Sequence, residues 1–432
     1  MKTVGDAADF LSGGTPRKST AAFWNGDIPW FSASNMTVKF LSCSDVTITE
    51  DGLKAGSRMA PSGSTLLLVR GSGLFNHIPI CYADRDVAFN QDVKAIVARD
   101  GVDPLYLHYT LEAHRRELAN NLGVTGIGAG KFDTDFVKEL RFVARSQEEQ
   151  AEIGQLASAY DRKIELNRRM NETLEEMARA LFRDWFVDFG PTRRQAEGAT
   201  DPAAIMGHAF PPEKATTLAP LFPAKLGDDG LPEGWAKASL KSLGSVVTGK
   251  TPSTKKQEYY GADVPFLKIP DMHGKSFVLN TGTMLSALGA YSQAKKTVPA
   301  GSVSVSCIAT PGLVVLNHRD TQTNQQINTV IPNQPSHQYF MFWSCREIAS
   351  EVMIGGSGGS VFHNMNKTTF EGLEVIFPGD REASLFGETV KPFHNKVLAN
   401  EQENQTLAEM RDLLLPKLMS GEIRLKDVEA AL

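Results

Sequence analysis

Gly13-Gly14-Thr15-Pro16-Arg17-Lys18, followed by Phe23-Trp24-Asn25-Gly26-Asp27-Ile28-Pro29-Trp30-Phe31, is written a second time later in the chain. The second copy reads Gly249-Lys250-Thr251-Pro252-Ser253-Thr254-Lys255-Lys256, then Tyr259-Tyr260-Gly261-Ala262-Asp263-Val264-Pro265-Phe266-Leu267. Both run Gly-x-Thr-Pro, a basic polar stretch, two aromatics, a glycine, then an aliphatic-Pro-aromatic strand, and Thr15 and Thr251 stand 236 residues apart. Further matches keep the same order. Pro61-Ser62-Gly63-Ser64 answers Pro299-Ala300-Gly301-Ser302, each before a β-branched, apolar stretch (65–69 and 303–308) that reads as a strand. Asn90-Gln91-Asp92 answers Asn324-Gln325-Gln326, and a glycine-rich loop from Gly126 to Phe132 answers one from Gly355 to Phe362. Ordered matches at a nearly constant offset indicate an internal duplication.

Each copy is followed by a long amphipathic segment. The first spans 147–185, opened by a capping box of Ser146 and Glu149 and stopped by Gly190-Pro191. Its large residues recur every seven: Ile153, Tyr160, Asn167, Leu174, Leu181, with Leu156, Ile164, Met170, Met177 and Trp185 between them. The second spans 381–415, with Phe386, Phe393, Asn400, Leu407 and Leu414, each 233 residues after its counterpart, as Gly387 is after Gly154. Pro392 replaces Ala159 and is expected to kink the second helix. An antiparallel pairing brings Asn167 and Asn400 level as a register device; the alternative leaves both on a solvated edge. Helices of 39 and 35 residues are roughly 58 and 52 Å long at ~1.5 Å per residue. That exceeds the ~34–36 Å of one DNA turn, so two heads on such a rod suit two segments of one duplex.

The 432 residues, 41% hydrophobic and 22% charged, allow two or three ordinary folded domains. No apolar run is long enough for a membrane span, and the N-terminus lacks the pattern of a signal peptide. The scattered Cys43, Cys81, Cys307 and Cys345 fit a reducing cytoplasm, without a disulfide frame or zinc. Independent catalysis is not expected. The Asp/Asn-Pro-Pro-aromatic motif of adenine methyltransferases and histidine pairs at metal spacing are missing. Pro270-Asp271 has no Glu-x-Lys after it, and Gly128-x-Gly130-Lys131 fails as a phosphate loop because Phe132 follows the lysine. The net charge of −5 means that any DNA binding rests on local basic loops or on partners.

In these features the chain resembles the specificity subunit of Type I restriction–modification systems, over nearly its whole length. The Gly-x-Thr-Pro openings carry the resemblance, with the 181–189 close of the first helix (LFRDWFVDF), the 413–423 stretch (LLLPKLMSGEI) and the Leu231-Pro232-Glu233-Gly234-Trp235 entry. It implies an α+β fold with two mixed α/β target-recognition domains, 1–146 and 231–380. Two long antiparallel coiled-coil helices, 147–190 and 381–425, would join them with pseudo-two-fold symmetry, and 191–230 reads as a linker. It also implies a non-catalytic subunit that reads a bipartite, asymmetric site in double-stranded DNA. Methyltransferase subunits would dock on the helices and a restriction/translocase subunit would join them. S-adenosylmethionine and ATP with magnesium are then expected on those partners, none in this chain, and no membrane is involved. Two departures stand out: the first copy lacks a Leu-Pro-x-Gly-Trp entry, and the second helix lacks the Gln147–Gln150 approach of the first.

Basic residues beside Gly, Ser and Thr suit phosphate contact, which nominates Arg17, Lys18, Lys250, Lys255 and Lys256, with Lys131 at the end of the glycine-rich loop. Arg58, Arg70 and Lys268 flank strands and would reach base edges, or form surface ion pairs. Asn90-Gln91 and Asn324-Gln325 would pair with adenine or cap turns. Trp30 and Phe266 read as strand core. The reading from another class is a structural adaptor, two heads on a coiled coil with no DNA. The heads themselves are expected as short strands around the Pro-x-Gly-Ser segments, with helices near 104–118 and 336–352.

Overall fold

The computed structural model describes residues 2–126, 128–354 and 365–425. It divides into two compact units, Met1–Leu166 with Glu403–Leu432, and Asn167–Gln402. Both contain mixed α/β structure, and two long helices, Gln147–Phe186 and Asp380–Ser420, each contribute to both units.

In the first unit the main sheet has the order Ala8–Ser12, Val93–Ala98, Thr65–Leu68, Ile80–Ala83, Phe40–Leu41. In the second it is Gly244–Thr248, Ile327–Pro332, Val303–Ser306, Val314–Leu316. The registers correspond. Ser12 faces Lys94 as Thr248 faces Asn328, and Thr65 faces Ile96 as Val303 faces Val330. The central strands after the two Pro-x-Gly-Ser segments are wholly buried, Thr65–Leu68 as a largely apolar run and Val303–Ser306 with Ser304 and Ser306 hydrogen-bonded to Thr329 Oγ1 and Thr310 O. The second layer also corresponds. Trp24–Phe31 pairs antiparallel with Thr47–Ile48 through a bulge at Trp24/Ile28 and parallel with Val87–Phe89. Tyr260–Leu267 pairs with Met284–Leu285 through a bulge at Tyr260/Val264 and parallel with Gln322–Thr323. Trp30 and Phe266 are core residues. The helices expected near 104–118 and 336–352 are Pro104–Ala113 with Arg115–Asn120, and Gln338–Ile354.

The first long helix begins with the capping box, Glu149 N donating to Ser146 Oγ at 3.2 Å and Ser146 Oγ to Glu149 Oε2 at 3.3 Å. It ends at Phe186, after which Phe189 takes a left-handed turn at φ 53°. Gly190-Pro191 does not simply stop the chain there, because it opens a new helix, Gly190–Ala196. The segment 191–230, read as a linker, is folded. Pro202–Ile205 and Pro212–Leu218 follow, and Ile205, Met206, Ala215, Leu218 and Phe222 join the core around Trp185, with Phe222 at 5.0 Å from its ring. Helices of four to seven residues are too short to show periodicity in sequence, and prolines at their first turns mimic linker composition.

Within each unit the two long helices run antiparallel. In the first unit Ile153 and Ala157 share a core with Leu415, Leu418 and Met419. In the second, Phe182, Trp185 and Phe186 surround Phe386 at 5.5, 5.9 and 5.4 Å. None of the ten seam residues is solvent-exposed: Ile153, Asn167, Phe386 and Asn400 are buried, and Tyr160, Leu174, Leu181, Phe393, Leu407 and Leu414 are half-buried. Met177, read as a seam residue, faces out, and Ala178 takes the inward place. The solvated-edge alternative for the asparagines does not hold. Asn400 Nδ2 donates to Asn171 Oδ1 at 2.8 Å, one turn along from Asn167, and Asn171 donates to Glu401 at 3.0 Å. The second helix continues without a break through Pro392, which is exposed.

The heads rest on these helices through glycines. A Cβ on Gly154 would stand 2.8 Å from Leu105 Cβ, and one on Gly387 2.5 Å from the Ser336 oxygen. Gln150, buried beside Gly154, accepts from Asp103 N at 3.0 Å and donates to the Gly101 and Arg145 carbonyls. The second helix has Ala383 there. Its contacts come instead from Ser384 Oγ with Ser336 Oγ at 2.9 Å and His337 Nε2 with the Asp380 carbonyl at 3.2 Å.

Candidate nucleic-acid interface

Two short loops, one per unit, carry the best-supported basic surface. In the first, a Cβ on Gly13 would lie 2.3 Å from the Phe89 oxygen, so only glycine lets this backbone pass. Gly14 N then donates to Phe89 O at 2.9 Å, and Thr15 Oγ1 to Gln91 Oε1 at 2.7 Å. Trp30 Nε1 holds Gly14 O and Trp24 Nε1 holds Arg17 O, both at 3.3 Å. Arg17 and Lys18 are exposed on the turn so fixed.

The second loop is built alike. A Cβ on Gly249 would meet Asn324 O at 2.1 Å; Lys250 N donates to Thr323 O at 2.9 Å and Thr251 Oγ1 to Gln325 Oε1 at 2.7 Å. Tyr260 Oη bonds to Pro252 O at 3.1 Å. Lys250, Lys255 and Lys256 are exposed, and Lys256 Nζ lies 3.1 Å from Tyr259 Oη and 4.9 Å from its ring centroid. The hydrogen bond to Tyr259 raises the Lys256 pKa, keeping it cationic.

The remaining candidates separate by partner. Arg70 lies opposite Lys131 in a small three-stranded sheet, and both are exposed. Arg70 Nε bonds to Asp92 Oδ1 at 2.6 Å, so this pair presents less positive charge than its residues suggest. Arg58 is exposed beside Ser57, whose hydroxyl bonds to Phe89 O at 3.2 Å. Lys268 is half-buried, its Nζ bonded to Thr283 Oγ1 at 2.8 Å and 5.6 Å from the Phe266 ring. Asn90 and Asn324 cap their own turns, accepting from Asp92 N and Gln326 N at 3.1 Å, and both are buried. Adenine pairing therefore does not suit them. The glycine-rich loop 355–360 lies outside the described residues, as does Ile127 in the first.

Lys295 escaped the sequence reading although it is exposed next to this surface, and so did Tyr291. The aligned Pro61 and Pro299 set Arg58 against Lys296, one residue from Lys295, and that offset held the signal. Lys296 itself bonds to Thr248 O at 2.9 Å. Burial pushes the Cys81 and Cys345 thiols up to about 12 and Cys307 to about 11, so all three stay protonated at neutral pH. Among the described residues no group of three or more His, Cys, Asp or Glu is placed to hold a metal ion. No helix there is long and apolar enough to cross a membrane.

The profile of the family described as "Type I restriction modification DNA specificity domain" matches residues 1–176 and 232–409. The chain is 39% identical over 324 residues to the Type I restriction enzyme HindI specificity subunit of Haemophilus influenzae, covering 67% of this chain and 70% of that protein. It is 24% identical to the Type I restriction enzyme MjaIX specificity subunit of Methanocaldococcus jannaschii, covering 99% and 94%. A crystal structure of a Type I restriction–modification S subunit from M. genitalium has a similar fold, with TM-score 0.59 at 13% identity over 97% of this chain and 95% of that one.

Proposed function

The chain belongs to the family of Type I restriction modification DNA specificity domains, and on that premise we propose that it selects the DNA site for a modification complex. Two target-recognition domains, 1–146 and 231–380, each read one half of a bipartite, asymmetric site in double-stranded DNA. The helices of 40 and 41 residues, about 60 Å at ~1.5 Å per residue, act as an antiparallel coiled-coil spacer with pseudo-two-fold symmetry. Methyltransferase subunits dock on this spacer and bring S-adenosylmethionine; a restriction subunit with ATP and magnesium completes the cutting form. This chain holds no reacting group and works in the cytoplasm.

One observation carries the reading. The Gly-x-Thr-Pro loop is bolted twice, by the same threonine-to-glutamine bond, to a neighbouring turn while its cations remain in solvent. A rigid backbone under mobile lysines and arginines suits phosphate contact, where geometry comes from the loop and affinity from charge. With a net charge of −5 the rest of the surface adds little attraction. Matching register around these loops supports one head duplicated and diverged to read two half-sites.

Mapping methylated bases in cells with and without this chain tests the proposal. Loss of one bipartite methylated motif is expected, and replacing residues 1–146 with another head changes one half of it. An unchanged methylome sinks the reading. Phosphate-led binding to random duplex weakens steeply as salt rises, whereas no binding to duplex at any salt favours the adaptor alternative.

A further inference from the structure

The helix Ala287–Tyr291 in the second unit and the helix Glu50–Gly56 in the first hold the same place in their folds. Ser286 and Thr49 cap them, accepting from the amides of Gly289 and Gly52, at 3.1 Å in both cases. A Cβ on Gly289 would stand 2.0 Å from Tyr259 O, and one on Gly52 2.4 Å from Phe23 O. Cap and glycine together fix the register residue by residue, so Leu288 answers Asp51 and Tyr291 answers Lys54. Where the first helix shows solvent two charges, the second shows a leucine 54% exposed and a tyrosine 80% exposed.

A single exposed apolar residue is ordinary. These two are three apart on a helix and so share a face. Their surroundings are cationic. Gln293 Nε2 donates to Lys250 O and to Gln322 Oε1, and Gln322 Nε2 donates to Ala290 O, all at 2.8 Å. These bonds lash the helix to the Gly-x-Thr-Pro loop with its exposed Lys250, Lys255 and Lys256, and Lys295 is exposed just past the helix end. Four lysines outweigh the neighbouring Glu258 and Asp263. An apolar tip amid lysines complements duplex DNA, whose phosphates take the cations and whose thymine methyl groups offer apolar contact in the major groove.

We infer that Leu288 and Tyr291 are specificity-determining contacts of the second head, packing against thymine methyl groups of its half-site, while Asp51 and Lys54 give the first head a polar surface at the same place. The inference rests on the DNA-recognition reading above. Its test is to restore a chain-deleted strain with the wild-type chain or with Leu288→Asp/Tyr291→Lys and to map methylation. The wild type restores a bipartite motif. The double variant is expected to keep one half of that motif and to lose or change thymine-containing positions in the other, with discrimination there falling on the order of tenfold. A motif unchanged in both halves overturns the inference, as does a change in the half assigned to residues 1–146. Should the double variant restore no methylation, Leu288→Ala and Tyr291→Ala are judged by the same criteria. In the reconstituted modification complex, deoxyuridine in place of thymidine in that half-site removes only the methyl groups. It should weaken wild-type binding and leave the double variant unaffected; equal binding of both duplexes by the wild type overturns the thymine assignment. A wild-type chain that restores no bipartite motif refutes the recognition reading itself, so the two failures differ.

Discussion

Asp161 and His394 stand 233 residues apart, the offset that also relates Gly154 to Gly387, yet the two sites are chemically opposite. In the first unit Asp161 is buried. It accepts from Lys39 Nζ at 2.7 Å, Tyr109 Oη at 2.8 Å and the Arg411 guanidinium. Glu112 and Arg115 extend this network, paired at 2.8 Å. Burial pushes the Asp161 carboxyl up, but Lys39 and Arg411 outweigh it and hold the pKa below the ordinary carboxylate value. In the second unit His394 sits in an aromatic box, 4.3 Å from Tyr339, 5.7 Å from Phe342 and 6.0 Å from Trp343. Its Nδ1 is 3.1 Å from Val390 O, and burial pushes its pKa down to about 4, so the ring is neutral. The charge moves outward there, to Arg346 paired with Glu175 at 2.9 Å and stacked 4.5 Å from Phe342. One backbone arrangement thus accepts either a closed ion network or an aromatic box with a neutral ring. The two units share the positions of these glycines and strands and differ in the polar chemistry between them.

The largest test of this contrast is Asp161→Ala. It removes the buried carboxylate that Lys39 and Arg411 share, leaving them Glu112 and Asp412 as partners, and urea unfolding should show a loss of about 3 kcal/mol. Arg346→Ala, in the more exposed pair of the second unit, should cost about 1 kcal/mol or less. Comparable losses would erase the distinction between the junctions.

Acid sharpens the comparison next. A histidine held near pH 4 when folded and near 6.5 when unfolded contributes stability that is complete above about pH 6.5 and lost as pH falls toward 4. The full difference is ~3 kcal/mol, of which ~2 is gone by pH 5. His394→Phe should flatten the pH 7 to pH 5 decline in urea stability by about that amount. The first unit carries its own buried neutral ring, His108, with its pKa also pushed to about 4 by burial, so His108→Phe should remove a second share. A decline unaltered by both substitutions would break this account.

Smaller effects follow at the shared glycines. Gly387→Ala and Gly154→Ala should each cost about 1–3 kcal/mol by overpacking the head against its helix. Similar losses at both sites are the expected sign of a common joint, read from melting temperatures. The least effect on stability belongs to the loops. Arg17→Ala, Lys18→Ala and Lys255→Ala should stay within about 0.5 kcal/mol of wild type. Each should nevertheless lower the salt slope of duplex binding by about one for every phosphate it no longer neutralises.

Much of this was legible from residue order alone. Threonine, proline, glycine and asparagine recur at fixed offsets because their backbone demands are local, and so the matching loops and the two long helices could be located. Heptad spacing exposed the inward faces for the same reason. The 191–230 segment was misread because its helices are shorter than the period needed to reveal them, and they fold by packing on Trp185 and Phe222. Met177 was misassigned because a heptad pattern cannot say which of two adjacent residues the interface takes inward.

The sequence by itself therefore determined the recurring motifs, the two long helices, the glycine-bound loops and the family, since each rests on local backbone preference or regular spacing. Only the tertiary structure decided which cations stay free, that Asn400 meets Asn171, and that Asp161 and His394 solve one junction in two ways. Those outcomes depend on side chains far apart in the chain, whose desolvation and pairing are settled only when they are packed together.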